Sequence, residues 1–231
     1  MARTRKNDPA PRNSSLRVEL WKPQLSGSIA LGVPREHPRT LFRDVLDSRH
    51  SCRALTPISF ELLGALLWHA ARTRATREGD EWEKRAAPSA GGLHPIHLLV
   101  LPSDRDDVLL YDPLSHSLQK LAGANALDVV QLRAEFHEVV PTARGVFLVL
   151  AADGERTRSG YTNPDSLVWR DAGCLIATTQ FVASWLGLGS CPLGVLGGGV
   201  VDLVAPSGGL TPAGVLALGT RADSKVPVES R

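Results

Sequence analysis

The sequence predicts an α+β protein, because segments of helical and strand character mix along the chain without a regular βαβ alternation. An apolar stripe with i, i+4 spacing over residues 62–70 predicts an amphipathic helix. A continuous apolar run over 145–152 predicts a strand buried on both faces of a sheet. Residues 108–121 contain two apolar runs around a turn with a proline, which predicts a hairpin.

The first part of the chain is predicted to contain an arm, two helices and a strand. Residues 1–38 are rich in Pro, Ser and charge, which predicts a tail or a wrapping arm. Residues 41–48 fit a short helix, and a second helix follows Ser59, which can cap its N-terminus. The charges of residues 72–85 alternate in sign, which indicates a surface loop or an exposed helix end. An apolar run then predicts a strand over 96–101.

The second part of the chain is predicted to be organised around one long helix. Asn163 can cap this helix, Pro164 fits its first position, and Asp165 favours the positive end of its dipole. The helix is predicted to continue to a glycine stop at Gly189. It is apolar on most sides, which is typical of a core or interface helix. Around it we expect a helix over 124–136, a glycine-rich loop over 191–203 and a final strand over 213–222.

Composition and charge indicate one globular domain and argue against several classes of partner. The chain has 231 residues, of which 43% are hydrophobic, and this suffices for one substantial core. Its 26 basic and 24 acidic residues give a net charge of +2, which favours neither nucleic acid nor a membrane surface as a partner. No apolar segment of membrane-spanning length and no signal-peptide core occurs, so we expect a cytoplasmic protein.

The domain organisation and the candidate metal ligands give simple expectations. We expect an N-terminal arm over 1–38, one domain over 39–222 and a polar tail over 223–231. The three cysteines are odd in number and form no C-x-x-C motif, which argues against a disulfide framework or structural zinc. His94 and His97 lie three residues apart in a predicted strand, so they face opposite sides and are poorly placed to share a metal ion.

The segment "RHSCR", residues 49–53, is a candidate anion site. In an extended chain Arg49, Ser51 and Arg53 share one face, while His50 and Cys52 share the other. Two guanidinium groups around a hydroxyl suit a phosphate or a carboxylate, because arginine stays charged and donates paired hydrogen bonds. The alternative is that these are ordinary surface arginines.

A run of small and rigid residues precedes the strand at 96–101. Pro88, Ser89, Ala90, Gly91 and Gly92 leave the backbone uncovered, which would permit a ligand to approach it closely. The alternative is a plain loop in which the glycines serve only to adopt positive φ angles.

A second glycine-rich stretch contains Gly194, Gly197, Gly198 and Gly199. It follows a predicted helix rather than a strand and lacks the spacing of a dinucleotide-binding fingerprint. It is either a flexible turn or a backbone edge that presents amides to a flavin or a substrate.

In this order the motifs resemble a known family. The stretches "SRHSCRALTPISFELLGALLWHAA", "RAAPSAGGLHPIHLLVL", "YDPLSHSLQKL" and "LALGTR" resemble the FMN-dependent nitroreductase superfamily over about residues 40–222. The resemblance is to the SagB-type or azoline-oxidase-like dehydrogenase branch, whose members oxidise thiazolines and oxazolines in ribosomally made peptides. It implies a mixed, mainly antiparallel sheet wrapped by helices, and a homodimer with FMN at the subunit interface.

The resemblance also implies roles for individual residues. Arg49, Ser51 and Arg53 match positions that hold the FMN phosphate and ribityl chain, with His50 as a contact beside them. Arg221 matches a second cation for the phosphate. The resemblance places two further groups at the isoalloxazine ring: the loop of Pro88, Ser89, Ala90, Gly91 and Gly92, and the turn of Gly197 and Gly198.

One difference from the family concerns the candidate catalytic group. Azoline-oxidising members carry adjacent Lys and Tyr ahead of the long helix, whereas this chain has Gly160 before Tyr161. Tyr161 is a candidate general acid or base, and a structural hydroxyl is the alternative. Arg158 stays protonated, so it cannot replace lysine as a base.

Three functions follow from the resemblance. The first is an FMN oxidoreductase that acts on a peptide or natural-product intermediate by hydride transfer through flavin N5, with O₂ as a possible oxidant. The second is a nitro- or quinone reductase driven by NAD(P)H. The third is a non-catalytic subunit that serves a biosynthetic partner protein.

Overall fold

A computed structural model of the protein describes residues 8–78 and 82–222. The described helices are α1 (Phe42–Ser48), α2 (Phe60–Ala70), α3 (Ala126–Val139), α4 (Gly154–Gly160), α5 (Asp165–Trp185) and α6 (Gly198–Val204). The first six strands are β1 (Ala10–Pro11), β2 (Leu25–Ala30), β3 (Leu55–Thr56), β4 (Ala75–Thr76), β5 (Glu83–Lys84) and β6 (Ile96–Leu101). The others are β7 (Leu109–Asp112), β8 (Ser117–Leu121), β9 (Val146–Ala152), β10 (Tyr161–Thr162), β11 (Leu188–Leu193) and β12 (Thr211–Arg221).

One large sheet organises the fold. Seven strands follow the order β11-β12-β9-β6-β7-β8-β2, and β3 pairs with β12 as an eighth strand. Every pair of these named strands is antiparallel. Two isolated parallel bridges add a mixed character, and one of them joins Ser51 to Ser190. The predicted α+β class with a mainly antiparallel sheet is therefore confirmed.

Helices cover both faces of the sheet. In β9, Leu148 and Leu150 face the apolar cluster that contains α2 and α5, while Phe147 and Val149 face the cluster that contains α3 and α6. All seven residues of β9 are buried, as expected for a strand covered on both sides. The predicted strands at 96–101 and 145–152 and the hairpin at 108–121 are found at these positions within one residue or two.

The long helix begins and ends differently from the sequence-based prediction. Asn163 has a φ of 51° and lies outside the helix, so Pro164 rather than Asn163 is the N-cap residue. The helix ends at Trp185, and the chain turns at Gly187, whose φ is 74°. The predicted stop at Gly189 is wrong, because Gly189 lies inside β11 and pairs with Gly219.

The segment predicted as a glycine-rich loop over 191–203 is also partly regular. It contains the end of β11 and almost all of α6. The local pattern is rich in glycine and does not predict the strand, because β11 is stabilised by pairing with β12, from Leu193–Val215 to Leu188–Thr220.

The N-terminal arm is built into the fold along much of its described length. β1 pairs with β10, so that Pro11 lies opposite Tyr161, and β2 pairs with β8 at the edge of the sheet. The backbone N–H of Trp21 donates to Asp153 at 2.8 Å. The predicted boundary at residue 38 stays a prediction, and the predicted tail at 223–231 lies outside the described residues. No described helix combines the length and the apolar character needed to cross a bilayer.

Candidate functional site

The "RHSCR" segment lies against the end of the sheet that is formed by β11. Ser51 forms a parallel bridge with Ser190, and the Cys52 N–H donates to the Ser190 carbonyl at 2.9 Å. Ser51 and Arg53 are exposed. The predicted extended conformation is therefore supported by β11, which holds the backbone of the segment while polar side chains face solvent.

Two arginines from distant parts of the sequence each lie near β11. Arg221, at the end of β12, donates from Nε to the Leu188 carbonyl at 3.2 Å. Arg53 directly follows Cys52, whose N–H bonds to Ser190 in β11, and its positive charge opposes the rise that burial causes in the pKa of the Cys191 thiol. We call Ser51, Arg53, Arg221 and the adjoining residues of β11 the cation edge. It can hold a phosphate with charge-assisted hydrogen bonds.

A glycine in β11 allows these segments to approach each other. A Cβ at Gly189 would lie 2.5 Å from Leu55 Cδ2 and 3.2 Å from both Cys52 Cβ and Arg221 Cγ. Any side chain at this position would push the "RHSCR" segment and Arg221 away from β11. Sequence reasoning read Gly189 as a helix stop and missed this role.

The other two residues of the predicted anion site flank the cation edge. The Arg49 N–H donates to the Val45 carbonyl and ends α1, and Arg49 is partly buried. Exposed His50 lies within 2.9 Å of the Ser48 carbonyl through Nδ1. Ser48 in turn contacts Ser184 on α5 at 3.2 Å between hydroxyl oxygens. Residues 48–53 therefore run from the C-terminal part of α5 to β11.

The small-residue loop at Pro88–Gly92 has a conformation that requires its glycines. Gly91 and Gly92 have φ angles of 62° and 68°. A Cβ at Gly91 would lie 3.2 Å from the ring and the hydroxyl of Tyr161, and a Cβ at Gly92 would overlap Trp82. The chain's own aromatic rings thus lie against both glycines. Pro88 and Ser89 instead border a small cavity together with Asp171.

Asp171 fixes this loop to α5. Its carboxylate accepts hydrogen bonds from the Ser89 hydroxyl at 2.5 Å and from the Ala90 N–H at 3.2 Å. Burial raises the pKa of Asp171, and these two hydrogen bonds oppose the rise. Sequence reasoning missed Asp171, although a carboxylate inside an apolar helix signals a buried group that needs donors.

The two glycines of the second stretch differ in their surroundings. Gly197 is buried, has a φ of 83°, and a Cβ there would lie 2.7 Å from Val149 and 2.9 Å from Val215. Core packing therefore requires this glycine. A Cβ at Gly198 or at Gly194 would meet no atom within 4 Å, and Gly194 is exposed directly after β11. Contact of Gly197 and Gly198 with a flavin stays a prediction.

A polar cluster lies beneath the loop. Glu83 contacts Arg85 at 2.7 Å and Arg156 at 3.6 Å. Burial lowers the pKa of His94 and of His97 to about 4, with the charges of Arg85 and Arg156 acting in the same direction. Burial raises the pKa of Glu83, but its arginine partners and a hydrogen bond from Thr73 outweigh this effect, so the net pKa is lowered.

This cluster predicts a loss of stability in acid. The folded pKa of both histidines lies below the ordinary value of 6.5, so their stability contribution is complete above pH 6.5 and is lost as the pH falls toward 4. The pKa of Glu83 is also lowered in the folded protein, so protonation of Glu83 destabilises the fold further at lower pH. We expect the melting temperature to fall from pH 7 to 4, and the His97→Gln variant to show a flatter profile in thermal scans. Identical profiles for both proteins would contradict this assignment.

Comparison with known proteins identifies the family. The sequence profile described as "Nitroreductase family" matches residues 46–217, which include Ser51, Arg53, β11, the loop and α5, and which end before Arg221. The chain belongs to the nitroreductase family. No curated protein sequence matches this nitroreductase-family chain.

Solved structures share the fold at low sequence identity. A Ralstonia eutropha JMP134 protein described as a nitroreductase has a TM-score of 0.62 at 18% identity, with 90% of this chain and 98% of the other covered. A chain of the Escherichia coli microcin synthetase McbBCD complex, with truncated pro-MccB17 bound, has a TM-score of 0.58 at 18% identity and coverages of 88% and 77%. A Desulfovibrio desulfuricans protein described as a nitroreductase in complex with FMN has a TM-score of 0.50 at 19% identity and coverages of 80% and 88%.

Family membership identifies this chain as an oxidoreductase. The nitroreductase family typically binds FMN. Within residues 8–78 and 82–222, no group of three or more His, Cys, Asp or Glu side chains is placed to hold a metal ion.

Proposed function

We propose that this nitroreductase-family chain is an FMN-dependent oxidoreductase whose cation edge binds the cofactor phosphate. The observation that carries the proposal is that the segment with Ser51 and Arg53 pairs with Ser190 in β11, while Arg221, far away in the sequence, bonds to Leu188 of the same strand. Ser51 is exposed on the same segment as Arg53 and can add a hydroxyl donor. Arg49 and His50 extend the same segment toward α5.

The residues present fit the cofactor at both ends. For the phosphate end, the guanidinium of Arg221 is held by the Leu188 carbonyl and that of Arg53 is exposed to a ligand, and arginine stays charged at all relevant pH values. Gly194, directly after β11, is exposed and carries no side chain that would obstruct a ligand. When bound, FMN would supply hydride chemistry at N5. The protein would bind it, orient it and exclude water from it.

The two candidate parts of the site lie at different points along α5. Asp171 holds the loop, and Ser184 contacts the segment that leads to the cation edge. These residues are about 20 Å apart along the helix, at a rise of ~1.5 Å per residue. Two antiparallel copies of α5 would bring the loop of one subunit toward the cation edge of the other. This arrangement supports the proposed homodimer with the cofactor at its interface.

The outer face of α5 supports that dimer. Gly173 and Ala177, one turn apart on this face, are small enough for a second helix to approach closely, and Phe181 on the next turn adds an aromatic ring beside Phe42. Nearby apolar side chains are exposed, with Trp169 at 49% and Phe42 at 65%. Such surfaces commonly mark protein–protein contacts.

The dimer has a direct test. We expect the wild-type protein to have twice the chain mass of 24.8 kDa in light scattering. The Ala177→Arg variant should be monomeric and should lose FMN, because it places a long charged side chain on the outer face of α5. The control is Leu127→Arg, which changes a side chain on α3 that is 76% exposed and should leave the dimer intact. A wild-type monomer that retains FMN would contradict the proposal.

For the substrate we propose a peptide or natural-product intermediate such as a thiazoline or oxazoline, in the manner of the SagB-type branch. The likeness to a chain of the microcin synthetase complex supports this choice and also a biosynthetic partner protein. Tyr161 is the proposed acid or base, because its hydroxyl lies against Gly91 in the loop. A nitro- or quinone reductase driven by NAD(P)H is the second candidate, favoured by the likeness to the Ralstonia eutropha protein.

Reduction of the bound flavin distinguishes these candidates. We expect the FMN-loaded protein to be reduced slowly by NADH or NADPH and to bleach when an azoline-containing peptide is added without oxygen. Tyr161→Phe should slow this bleaching while it leaves FMN occupancy unchanged. Rapid bleaching by NAD(P)H alone would favour the reductase. Failure to bleach with any donor, dithionite excepted, would favour the non-catalytic subunit.

A further inference from the structure

Asp171 is a buried carboxylate whose hydrogen bonds all lead to the proposed cofactor loop. Its side chain is on α5, and the residue is 7% exposed. Oδ2 accepts from the Ser89 hydroxyl, while the Ala90 N–H lies 3.2 Å from Oδ1 and 3.3 Å from Oδ2. Burying a carboxylate is costly unless donors satisfy it, so this contact ties the loop firmly to the helix.

These contacts determine what Ser89 can offer to a ligand. A hydroxyl has one proton and two lone pairs. The Ser89 proton goes to Asp171, and one lone pair accepts the His94 N–H at 2.9 Å. Ser89 can therefore accept one more hydrogen bond but cannot donate one from its side chain.

The backbone donors of the loop are restricted in the same way. The N–H groups of Gly92 and Leu93 bond within the loop, and that of Ala90 bonds to Asp171. The N–H groups of Ser89 and Gly91 have no hydrogen-bond partner among residues 8–78 and 82–222. The loop thus presents one hydroxyl acceptor and two amide donors.

We infer that Asp171 is a positioning residue for the cofactor, which orients the Ser89 hydroxyl as an acceptor and holds the Ser89 and Gly91 amides toward the ligand. The inference rests on the proposed function. Asp171 acts on the cofactor through the loop. Its negative charge also disfavours the negative charge that a neighbouring flavin gains on reduction.

The test compares Asp171→Asn, Asp171→Ala and Ser89→Ala in the full-length protein. We expect Asp171→Asn to make the FMN midpoint potential more positive, because the carboxylate charge is lost. Asp171→Ala should raise the dissociation constant for FMN by about tenfold, since a charge-assisted contact that orders the loop is removed. Ser89→Ala should weaken FMN binding while it leaves the potential close to that of the wild type. Potentials are measured by dye equilibration, and FMN affinity by the quenching of its fluorescence.

Asp165→Asn, at the exposed start of the same helix, is the control and should change neither quantity. If the Asp171 variants keep the wild-type potential and FMN affinity while only the melting temperature falls, the role is structural and the inference is overturned. If Asp171→Asn does not fold, unchanged FMN affinity in Ser89→Ala overturns it in the same way. A wild-type protein that binds no FMN would overturn the proposed function and this inference together.

Discussion

Replacing Arg53 and Arg221 together with alanine is expected to raise the dissociation constant for FMN by about 100-fold. Each arginine can make a charge-assisted hydrogen bond to the phosphate, and such bonds contribute about 1.5–3 kcal/mol each. Every 1.4 kcal/mol is about tenfold in affinity, and we take the low end of the range because Arg53 is exposed. Titration of the apo-protein with FMN, followed by fluorescence, measures the change.

The control for charge alone is Arg105→Ala, which removes an arginine that pairs with Asp107 in the loop between β6 and β7. This variant should bind FMN as the wild type does. The single variants Arg53→Ala and Arg221→Ala should fall between the wild type and the double variant. Wild-type FMN occupancy in the folded double variant would show that the phosphate lies elsewhere.

The Gly189→Ala variant is expected to lose both stability and FMN affinity. Its Cβ would lie 2.5 Å from Leu55 Cδ2, and Leu55 is 1% exposed and cannot move away freely. Overpacking of this kind costs about 1–3 kcal/mol. Because the same Cβ would also press on Cys52 and Arg221, the cation edge should open. Thermal unfolding of the apo-protein and FMN titration measure the two effects separately.

Gly154→Ala is the matched control, because a Cβ at Gly154 meets nothing within 4 Å and φ there is not positive. Its stability should equal or exceed that of the wild type, since alanine favours the helix by up to about 1 kcal/mol. A Gly189→Ala variant with unchanged stability and affinity would mean that the close approach at β11 has no role in forming the site.

Local patterns predicted much of the fold. The strand at Val146–Ala152 is a continuous apolar run, and the strand at Ile96–Leu101 is apolar apart from His97, which indicates strands buried on both faces. Ser59 was predicted to cap α2, and its hydroxyl accepts from the Leu62 N–H. These features depend on interactions within a few residues, which a sequence shows directly.

Features that depend on distant partners could not be predicted in this way. Gly189 resembles a helix stop until its neighbours Leu55 and Arg221 are known. The role of Asp171 depends on Ser89, 82 residues earlier in the chain. The sequence suggested that Gly91 and Gly92 serve either a ligand or a positive φ angle. The structure shows a further reason for glycine at these positions, because the rings of Tyr161 and Trp82 lie close to where a Cβ would be.

The most direct test of a phosphate-binding cation edge is a comparison of FMN with riboflavin, which has the same ring but no phosphate. Calorimetric titration of the wild-type apo-protein should show one FMN per chain. Riboflavin should bind about 100-fold more weakly, because without a phosphate it loses the charge-assisted contacts to both Arg53 and Arg221. Equal affinity for the two flavins, or no binding of either, would contradict the account.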